Sequence, residues 1–167
     1  MYTTRLMAAA FLWNGSDVLL MHRSASRLLY PNLWGGVGGH IEPHEASTPD
    51  SACLREIAEE TGITSADLTG FRLRYIILRL RGTEIRQQYI YFGVSSTRRV
   101  RTTTEGELHW VREAELFDRQ LIPTTRLLLE HYVRNRSTEP DTIWVGVLTG
   151  AGYGLPAVSW SRLQDWE

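Results

Sequence analysis

Apolar residues recur along this chain with two different periods. Two apolar runs, residues 6–13 and 18–21, flank the turn-forming sequence Asn-Gly-Ser-Asp at 14–17 and predict a β-hairpin. The first run could imitate a signal peptide, but it leads into the second run without a cleavage region, so we interpret it as a strand. Further strands are predicted at residues 71–80, 85–94, 108–111, 142–148 and 157–161.

Two segments have the period of an amphipathic helix. The first is predicted at residues 49–61, where Thr48 is placed to cap the helix, Pro49 suits its first position and Gly62 is typical of its end. The second is predicted at residues 123–134. The glycine-rich stretch 34–45, which precedes the first helix, is predicted to be a loop.

Strands dominate both ends of the chain and helices interrupt them, so the predicted fold class is α+β. We expect residues 1–167 to form a single domain, because a chain of this length has room for one sizeable core. The strands predicted near the end of the chain should form a C-terminal β-hairpin extension at about 142–162.

Three glutamates share one side of the first predicted helix. With Glu56 at 0° and about 100° per residue, Glu60 falls at about +40° and Glu59 at about −60°. Such residues are usually only solvated, but clustered carboxylates also suit Mg²⁺ or Mn²⁺, hard cations that bridge phosphate oxygens. The adjoining arc, which is predicted to pack on the sheet, carries Cys53, Leu54, Ile57 and Ala58.

The sequence around this helix resembles the Nudix box, in which a glycine, five residues, a glutamate and seven further residues precede Arg-Glu-apolar-x-Glu-Glu-x-Gly-apolar. Gly39 and Glu45 match the first half. Nine residues separate Glu45 from the arginine here, and His44 replaces the usual glycine, so we expect a longer loop ahead of the helix. The second half matches at every specified position, namely Arg55, Glu56, Ile57, Glu59, Glu60, Gly62 and Ile63.

The resemblance implies the Nudix fold, a mixed β-sheet sandwiched between α-helices, and a Mg²⁺-dependent hydrolase of diphosphate linkages, with Mn²⁺ as an alternative ion. It also implies that Arg55 orients the carboxylates. A further metal ligand or base is expected before a strand that carries an aromatic residue, where Glu105 is the best match and Glu107 the second. The implied catalytic residues are Glu56, Glu59, Arg55 and Glu105. The implied metal ligands are Gly38, Glu56, Glu59, Glu60 and Glu105.

The segments VLLMHR, NLWGGVGG and EGELHWV, with the tail IWVGVLTGAGYGLPAVSW, are similar to the Nudix branch that hydrolyses oxidised purine nucleoside triphosphates. The resemblance implies a monophosphate and pyrophosphate as products. That branch has Trp-Asn-Gly where this chain has Trp34-Gly35-Gly36, and some members have an acidic pair where this chain has Pro123-Thr124-Thr125. Recognition of the base edge is therefore expected to differ, and ADP-ribose or a dinucleoside polyphosphate is the alternative substrate.

Other residues near the box leave alternatives open. Arg23 and Arg27 could grip phosphates or be solvated, and Trp34 could stack on a base or pack in the core. A prenyl diphosphate isomerase is disfavoured because the glycine-rich stretch lacks a cysteine, and a non-catalytic nucleotide sensor because the second half of the box is complete. The candidate substrate-binding residues are Arg23, Trp34, Gly39 and Glu45.

Composition and net charge limit the classes of partner that we expect this protein to bind. A chain with 43% hydrophobic and 22% charged residues should fold, and a net charge of −1 gives no electrostatic footprint for long nucleic acid. No apolar stretch approaches the roughly 20 residues that span a bilayer. The single cysteine, Cys53, fits a reducing compartment. We therefore expect a cytoplasmic monomer or homodimer that acts on a small-molecule nucleotide.

Overall fold

The computed structural model describes residues 1–101, 103–150 and 156–166. The strands are β1 (Thr3–Asn14), β2 (Asp17–Arg23), β3 (Trp34–Gly35), β4 (Val37–His40), β5 (Leu68–Arg81), β6 (Glu84–Ser95), β7 (Gly106–Arg112), β8 (Ile143–Thr149) and β9 (Ala157–Leu163). The helices are α1 (Pro49–Thr61) and α2 (Pro123–Asn135), with 3-10 helices at Pro43–Glu45, Ser65–Asp67 and Glu113–Asp118. Of the helices in these described ranges, none has the length and apolarity needed to cross a membrane.

The strands form one mixed sheet. Its order is β3-β2-β1-β6-β5-β8-β9, with β4 paired to β1 and β7 paired to β2. The pairs β1–β6 and β5–β8 are parallel, and the remaining pairs are antiparallel. The predicted β1–β2 hairpin is confirmed, because Trp13 lies opposite Val18 and Asn14 opposite Asp17.

A helix covers each face of the sheet, which confirms the α+β class and the layered arrangement of the Nudix fold. Alternate residues of β1 supply the two cores. Ala8, Ala10 and Leu12 pack with α1, whose buried Cys53 and Ile57 confirm the predicted apolar face. Ala9, Phe11 and Trp13 contribute to the opposite core, which contains residues of α2, β7 and β8. The two-residue alternation of β1 therefore divides the molecule into an α1 side and an α2 side.

Helix α1 departs from the sequence prediction in two details. Thr48 occupies the N-cap position, but its hydroxyl donates to the Glu45 carbonyl at 3.4 Å instead of capping the helix. The buried face is also displaced toward the glutamates: Leu54 is only half-buried, whereas Glu60 is 7% exposed. The end of the helix is as predicted, since Gly62 adopts a left-handed conformation and its N–H donates to Ala58.

The prediction of a loop for the whole glycine-rich stretch was wrong, because it contains β3 and β4. Strand β4 pairs with β1 through Ala8↔Gly39 and Ala9↔Gly38. A methyl group added to Gly38 would lie 2.2 Å from the Ala8 carbonyl oxygen, and the residue has φ +139°. Glycine here permits close backbone pairing, which the general preference of glycine for loops does not anticipate.

Strands β8 and β9 pair antiparallel beside β5 and extend the sheet beyond α2. Trp144 and Trp160, one from each strand, pack against His131 of α2 with ring centroids 4.6 Å apart in both cases. Part of the predicted C-terminal hairpin, residues 151–155, lies outside the described residues. The two strands place an aromatic layer on the α2 side of the sheet.

Candidate active site

A cavity of about 330 Å³ lies beside β4 on the α2 side of the sheet. Three carboxylates line it, Glu56 and Glu60 from α1 and Glu105 from the segment before β7. Apolar side chains line its middle, among them Phe11, Ile90, Ile122 and Leu128. The cavity therefore has an acidic end, which we define as Glu56, Glu60 and Glu105, and an apolar wall beside it.

The acidic end depends on Gly39 in β4, because α1 packs on the opposite face of the sheet. A methyl group at Gly39 would lie 2.6 Å from the Glu56 carboxylate carbon. Since no side chain is present at this position, the Glu56 carboxylate reaches the cavity past the edge of β4. Burial raises the pKa of Glu56, while its hydrogen bond from Arg55 acts in the opposite direction.

Glu60 is the most buried carboxylate of the acidic end. The Gly38 N–H donates to its Oε2 atom at 2.7 Å. Burial is the main cause that raises the pKa of Glu60 to about 8, and the nearby Glu105 and Glu56 raise it further against the Gly38 hydrogen bond. The structure thus brings the N–H of Gly38 to the site; the metal contact implied for its carbonyl stays a prediction.

Arg55 connects the two halves of the box. Its Nε and Nη2 atoms donate to the two Glu45 carboxylate oxygens at 2.9 Å each. Its Nη1 atom donates to Glu56 at 3.0 Å and to Glu59 at 3.2 Å, and Nη2 also donates to the His40 carbonyl at 3.1 Å. One planar guanidinium therefore sets the positions of three carboxylates and of β4.

Glu45 keeps this partner although two additional residues separate it from Arg55. The extra length is taken up in a turn after the 3-10 helix, where the Thr48 N–H donates to the Glu45 carbonyl at 2.8 Å. The hydrogen bonds from Arg55, and one from the Glu42 N–H, hold the pKa of Glu45 at about 2. The structure consequently places Glu45 behind the acidic end as a support and not among the cavity-lining residues.

The two candidate glutamates near β7 lie in different environments. Glu105 lines the cavity and pairs with Arg27 at 3.4 Å. The Glu107 side chain is 73% exposed and lies 3.3 Å from His109. The structure thus brings Glu105, the first choice from sequence, to the acidic end and leaves Glu107 at the surface.

Other sequence candidates lie at the margin of the site. The Glu59 side chain is 60% exposed and is not among the cavity-lining residues. Trp34 is also outside the lining and stacks on His22, with ring centroids 4.7 Å apart. Arg23 does line the cavity, but its guanidinium donates twice to the Leu29 carbonyl, at 3.2 and 3.0 Å. These hydrogen bonds hold in place the segment that includes Leu29 and Tyr30, which also line the cavity.

The chemistry of the acidic end suits a divalent cation. Within residues 1–101, 103–150 and 156–166, no three carboxylate, imidazole or thiol groups already surround one point as a closed metal site. Three carboxylates nevertheless line the cavity, and burial together with repulsion by neighbouring carboxylates disfavours the ionised forms of Glu56 and Glu60. A hard cation would relieve this repulsion, so the residues present fit Mg²⁺ or Mn²⁺ after small carboxylate rotations.

The sequence interpretation missed three arginines that line the far part of the cavity, Arg5, Arg79 and Arg86. One signal was available, because Gly82 and Thr83 separate β5 from β6 and a two-residue turn fixes the register of a hairpin. That register places Arg79 opposite Arg86. Arg5 had no such signal, since the parallel pairing of β1 with β6 depends on the tertiary fold.

Known proteins share both the sequence family and the fold. A family model described as the NUDIX domain matches residues 3–136. The structure resembles a MutT protein from Bacillus halodurans with a TM-score of 0.69 and 15% identity, over 93% of this chain and 97% of that chain. For a MutT protein from Methanosarcina mazei Go1 the values are 0.69 and 22%, over 82% and 98%.

A third solved structure contains a ligand. It is the NUDIX domain of Shewanella oneidensis NrtR complexed with ADP ribose, with a TM-score of 0.64 and 19% identity, over 83% of this chain and 90% of that chain. At these identities the likeness shows the fold. The family model, which covers most of the chain, shows more: the protein belongs to the Nudix family and is a hydrolase of pyrophosphate bonds.

Proposed function

We propose that this protein is a Mg²⁺-dependent pyrophosphohydrolase that converts a nucleoside triphosphate into its monophosphate and pyrophosphate. The observation that carries the proposal is the acidic end, three carboxylates that meet beside an apolar wall in one cavity. A triphosphate would lie along the acidic end through its metal ion, and the base would contact the apolar wall. The position of the diphosphate linkage next to the carboxylates sets the site of cleavage.

The proposed ligands of Mg²⁺ or Mn²⁺ are Glu56 and Glu60 of the acidic end, together with Glu59 and the Gly38 carbonyl. The ion would neutralise phosphate charge and lower the pKa of bound water. Glu60 is held by Gly38, and Glu56 by Arg55, so neither carboxylate has to be ordered during the reaction. Glu59, at the exposed margin, would complete the metal shell from the solvent side.

Glu105 is the proposed base that accepts a proton from the attacking water. It lines the cavity beside Glu60 and comes from a different part of the chain, so it faces the phosphates from outside the helix. The oxygen of the water forms a bond to phosphorus while the bond to the leaving phosphate oxygen breaks, and the proton passes to Glu105. Arg27, whose guanidinium lies 3.4 Å from the Glu105 carboxylate, would hold this side chain in position at the acidic end.

An oxidised purine triphosphate is the proposed substrate class, although the base would be recognised differently from the related branch. A methyl group at Gly35 would lie 2.9 Å from Ile122 Cδ1, so Ile122 fills the space that an asparagine side chain would need. Thr124 and Thr125 line the same region and offer hydroxyl groups to the base edge. Selectivity should therefore rest on two hydroxyls and on the shape of the apolar wall.

A hydrolysis panel with Mg²⁺ tests the proposal. It contains dGTP, 8-oxo-dGTP, ATP, ADP-ribose and diadenosine tetraphosphate, and the released products are identified by chromatography. We expect turnover of a triphosphate to monophosphate and pyrophosphate, abolished by EDTA and restored by Mg²⁺ or Mn²⁺. The ADP-ribose assay tests whether the ligand of the NrtR NUDIX domain is also a substrate here.

Two glutamates that are close in sequence provide the matched variants. Glu105→Gln should lower kcat by about 100-fold or more because it removes the proposed base. Glu107→Gln removes an exposed carboxylate two residues away and should retain wild-type activity. The proposal is wrong if no nucleoside di- or triphosphate is hydrolysed, or if Glu59→Gln retains full activity.

A further inference from the structure

Three arginines form a row across the sheet at the far part of the cavity. Arg5 lies opposite Arg86 in the β1–β6 pair, and Arg86 lies opposite Arg79 in the β5–β6 pair. Directly opposite residues of neighbouring strands project from the same face of a sheet. All three line the same cavity as the acidic end, and we call Arg5, Arg79 and Arg86 the arginine row.

The arginine row carries more positive charge than its neighbours neutralise. Glu84 is shared by Arg5, at 2.9 Å, and by Arg86. In the part of the chain that the structure describes, no carboxylate is paired with Arg79 within 4.0 Å. Three guanidinium groups with one carboxylate leave two positive charges.

Two of the three arginines, Arg79 and Arg86, are buried or half-buried, so water does not fully screen their charges. Arg86 is 9% exposed. Burial lowers the pKa of Arg79, and the charge of Arg86 lowers it further, while the nearby Tyr30 hydroxyl favours the charged form. Like charges directly opposite each other in a sheet are destabilising, so the fold accepts a cost at this position. An anion between the guanidinium groups would remove that cost.

The distance from the acidic end suggests which anion this is. The strand order β4-β1-β6-β5 places Arg5, Arg86 and Arg79 one, two and three strand positions from β4. At about 4.8 Å per strand, the row is displaced from the glycines by about 5 to 14 Å across the sheet. It is also displaced along the strands by about 10 Å, because Arg5 lies three residues from Ala8, the partner of Gly39. Because the arginine row and the acidic end are separated by this distance, the scissile diphosphate cannot contact all the residues of both.

We propose that the arginine row binds a second phosphate group of the substrate, one that is separate from the diphosphate linkage to be hydrolysed. This rests on the proposed function for the position of that linkage. Planar guanidinium groups match phosphate oxygens through paired hydrogen bonds, and a phosphate monoester carries about −1.5 to −2 charges near neutral pH. Two unneutralised guanidinium groups match that charge. Within the proposed pyrophosphohydrolase activity, the preferred substrate is then a nucleotide that carries a phosphate on its ribose in addition to the hydrolysed diphosphate linkage, and not a simple oxidised purine triphosphate.

The first test measures binding and requires no turnover. Isothermal titration calorimetry with Mg²⁺ compares adenosine 3′,5′-bisphosphate and adenosine 2′,5′-bisphosphate with adenosine 5′-monophosphate. We expect one bisphosphate to bind at least about tenfold more tightly than the monophosphate, the size of one charge-assisted hydrogen bond. Arg79→Gln should bring this ratio to near one. Arg72→Gln, at an exposed arginine on the same strand that pairs with Asp141 outside the cavity lining, should preserve the ratio.

The second test uses hydrolysis of substrates that differ by one phosphate. Coenzyme A is compared with 3′-dephospho-coenzyme A, and NADPH with NADH. We expect a lower KM for the phosphorylated member of at least one pair, and loss of that preference in Arg79→Gln. If no substrate is hydrolysed but the bisphosphate still binds more tightly than the monophosphate, the proposed function is wrong and the phosphate-binding role of the arginine row is supported.

Two results would overturn the proposal itself. One is equal binding of all three adenosine nucleotides by the wild-type protein. The other is equal weakening of mono- and bisphosphates in Arg79→Gln, which would mean that the row contacts the base or the scissile phosphates. In the second case, a titration with guanosine 5′-monophosphate distinguishes contact with the base from contact with the scissile phosphates. An arginine that hydrogen-bonds to the base should bind the guanine nucleotide more tightly than the adenine nucleotide.

Discussion

The two ends of the cavity are built in opposite ways. The acidic end comes mainly from consecutive turns of one helix, where Arg55 holds the Glu56 carboxylate and the Gly38 N–H holds that of Glu60. The arginine row comes from three strands, and each arginine faces another arginine across a strand pair. Hydrogen bonds therefore fix the positions of carboxylates at the acidic end, whereas the arginine row concentrates positive charge. This difference indicates chemistry at one end and attraction of an anion at the other.

The largest effect is expected at the acidic end, for Glu60→Gln. Glutamine retains the volume and the acceptor for the Gly38 N–H but removes the negative charge. The proposed metal site should fail, and kcat should fall on the order of 10³-fold. In EDTA at pH 9, above the pKa of about 8 for Glu60 in the folded protein, the variant should melt at a higher temperature than wild type, because it removes a buried charge that Glu105 and Glu56 repel.

Steady-state kinetics and calorimetric melting of the same preparations test the expected decrease in kcat and the expected increase in metal-free melting temperature. An exposed glutamate serves as the control: Glu107→Gln should alter neither kcat nor the metal-free melting temperature. A variant Glu60→Gln that loses stability together with activity would show that the carboxylate is structural, and the assignment of Glu60 to a metal site would be wrong.

The next effect tests how the carboxylates of α1 reach the cavity. Gly39→Ala places a methyl group 2.6 Å from the Glu56 carboxylate carbon, which has to move. Displacement of a catalytic group by about 1 Å can cost roughly 10²-fold in rate, and kcat should fall by that amount. Stability should change little, because the atom that moves is the end of a side chain.

A second glycine within a strand is the control for this substitution. Gly93→Ala introduces a methyl group 3.2 Å from the Phe71 ring, outside the cavity lining. It should leave kcat unchanged. Equal activity of Gly39→Ala and wild type would show that Glu56 does not act from its observed position.

The same contrast explains what the sequence could predict. Glu56, Glu59 and Glu60 lie within five residues, so helical spacing alone brings them to one side. Their separate roles could not be predicted, because burial of Glu60 and exposure of Glu59 depend on how α1 lies against β4. The strands of the glycine-rich stretch were missed for a related reason, since close backbone pairing with β1 favours glycine there.

The arginine row was partly predictable. Arg79 and Arg86 are linked by a short turn, whereas Arg5 is brought to them by a parallel pair that joins residues about 80 positions apart. Hydrophobic patterning predicts that β1 is buried on both faces, but it does not say which face lines the cavity. It does not choose between base stacking and packing for Trp34, and the stacking of this ring on His22 required the fold.

A smaller effect is expected for the support behind the acidic end. Arg55→Lys keeps the charge but loses the paired contact with Glu45, so the carboxylates should be less well positioned. The kcat should fall about tenfold, as for other residues that orient metal ligands. Glu45→Gln should have a similar effect, and the double variant should be no worse than either alone. Additive losses would show that the two residues act independently.

The smallest effect should appear at the arginine row and have the opposite sign. Arg79→Gln removes a like charge opposite Arg86, so the free energy of unfolding should rise by about 0.5 kcal/mol. Arg81→Gln removes a charge that faces Glu84 and should lower it by a similar amount. Urea unfolding measures both, and 1 M NaCl should reduce both differences. If Arg79→Gln instead lowers the free energy of unfolding at low salt, the packing of the Arg79 side chain stabilises the fold more than its charge destabilises it. Charge repulsion would then not distinguish the arginine row from the acidic end.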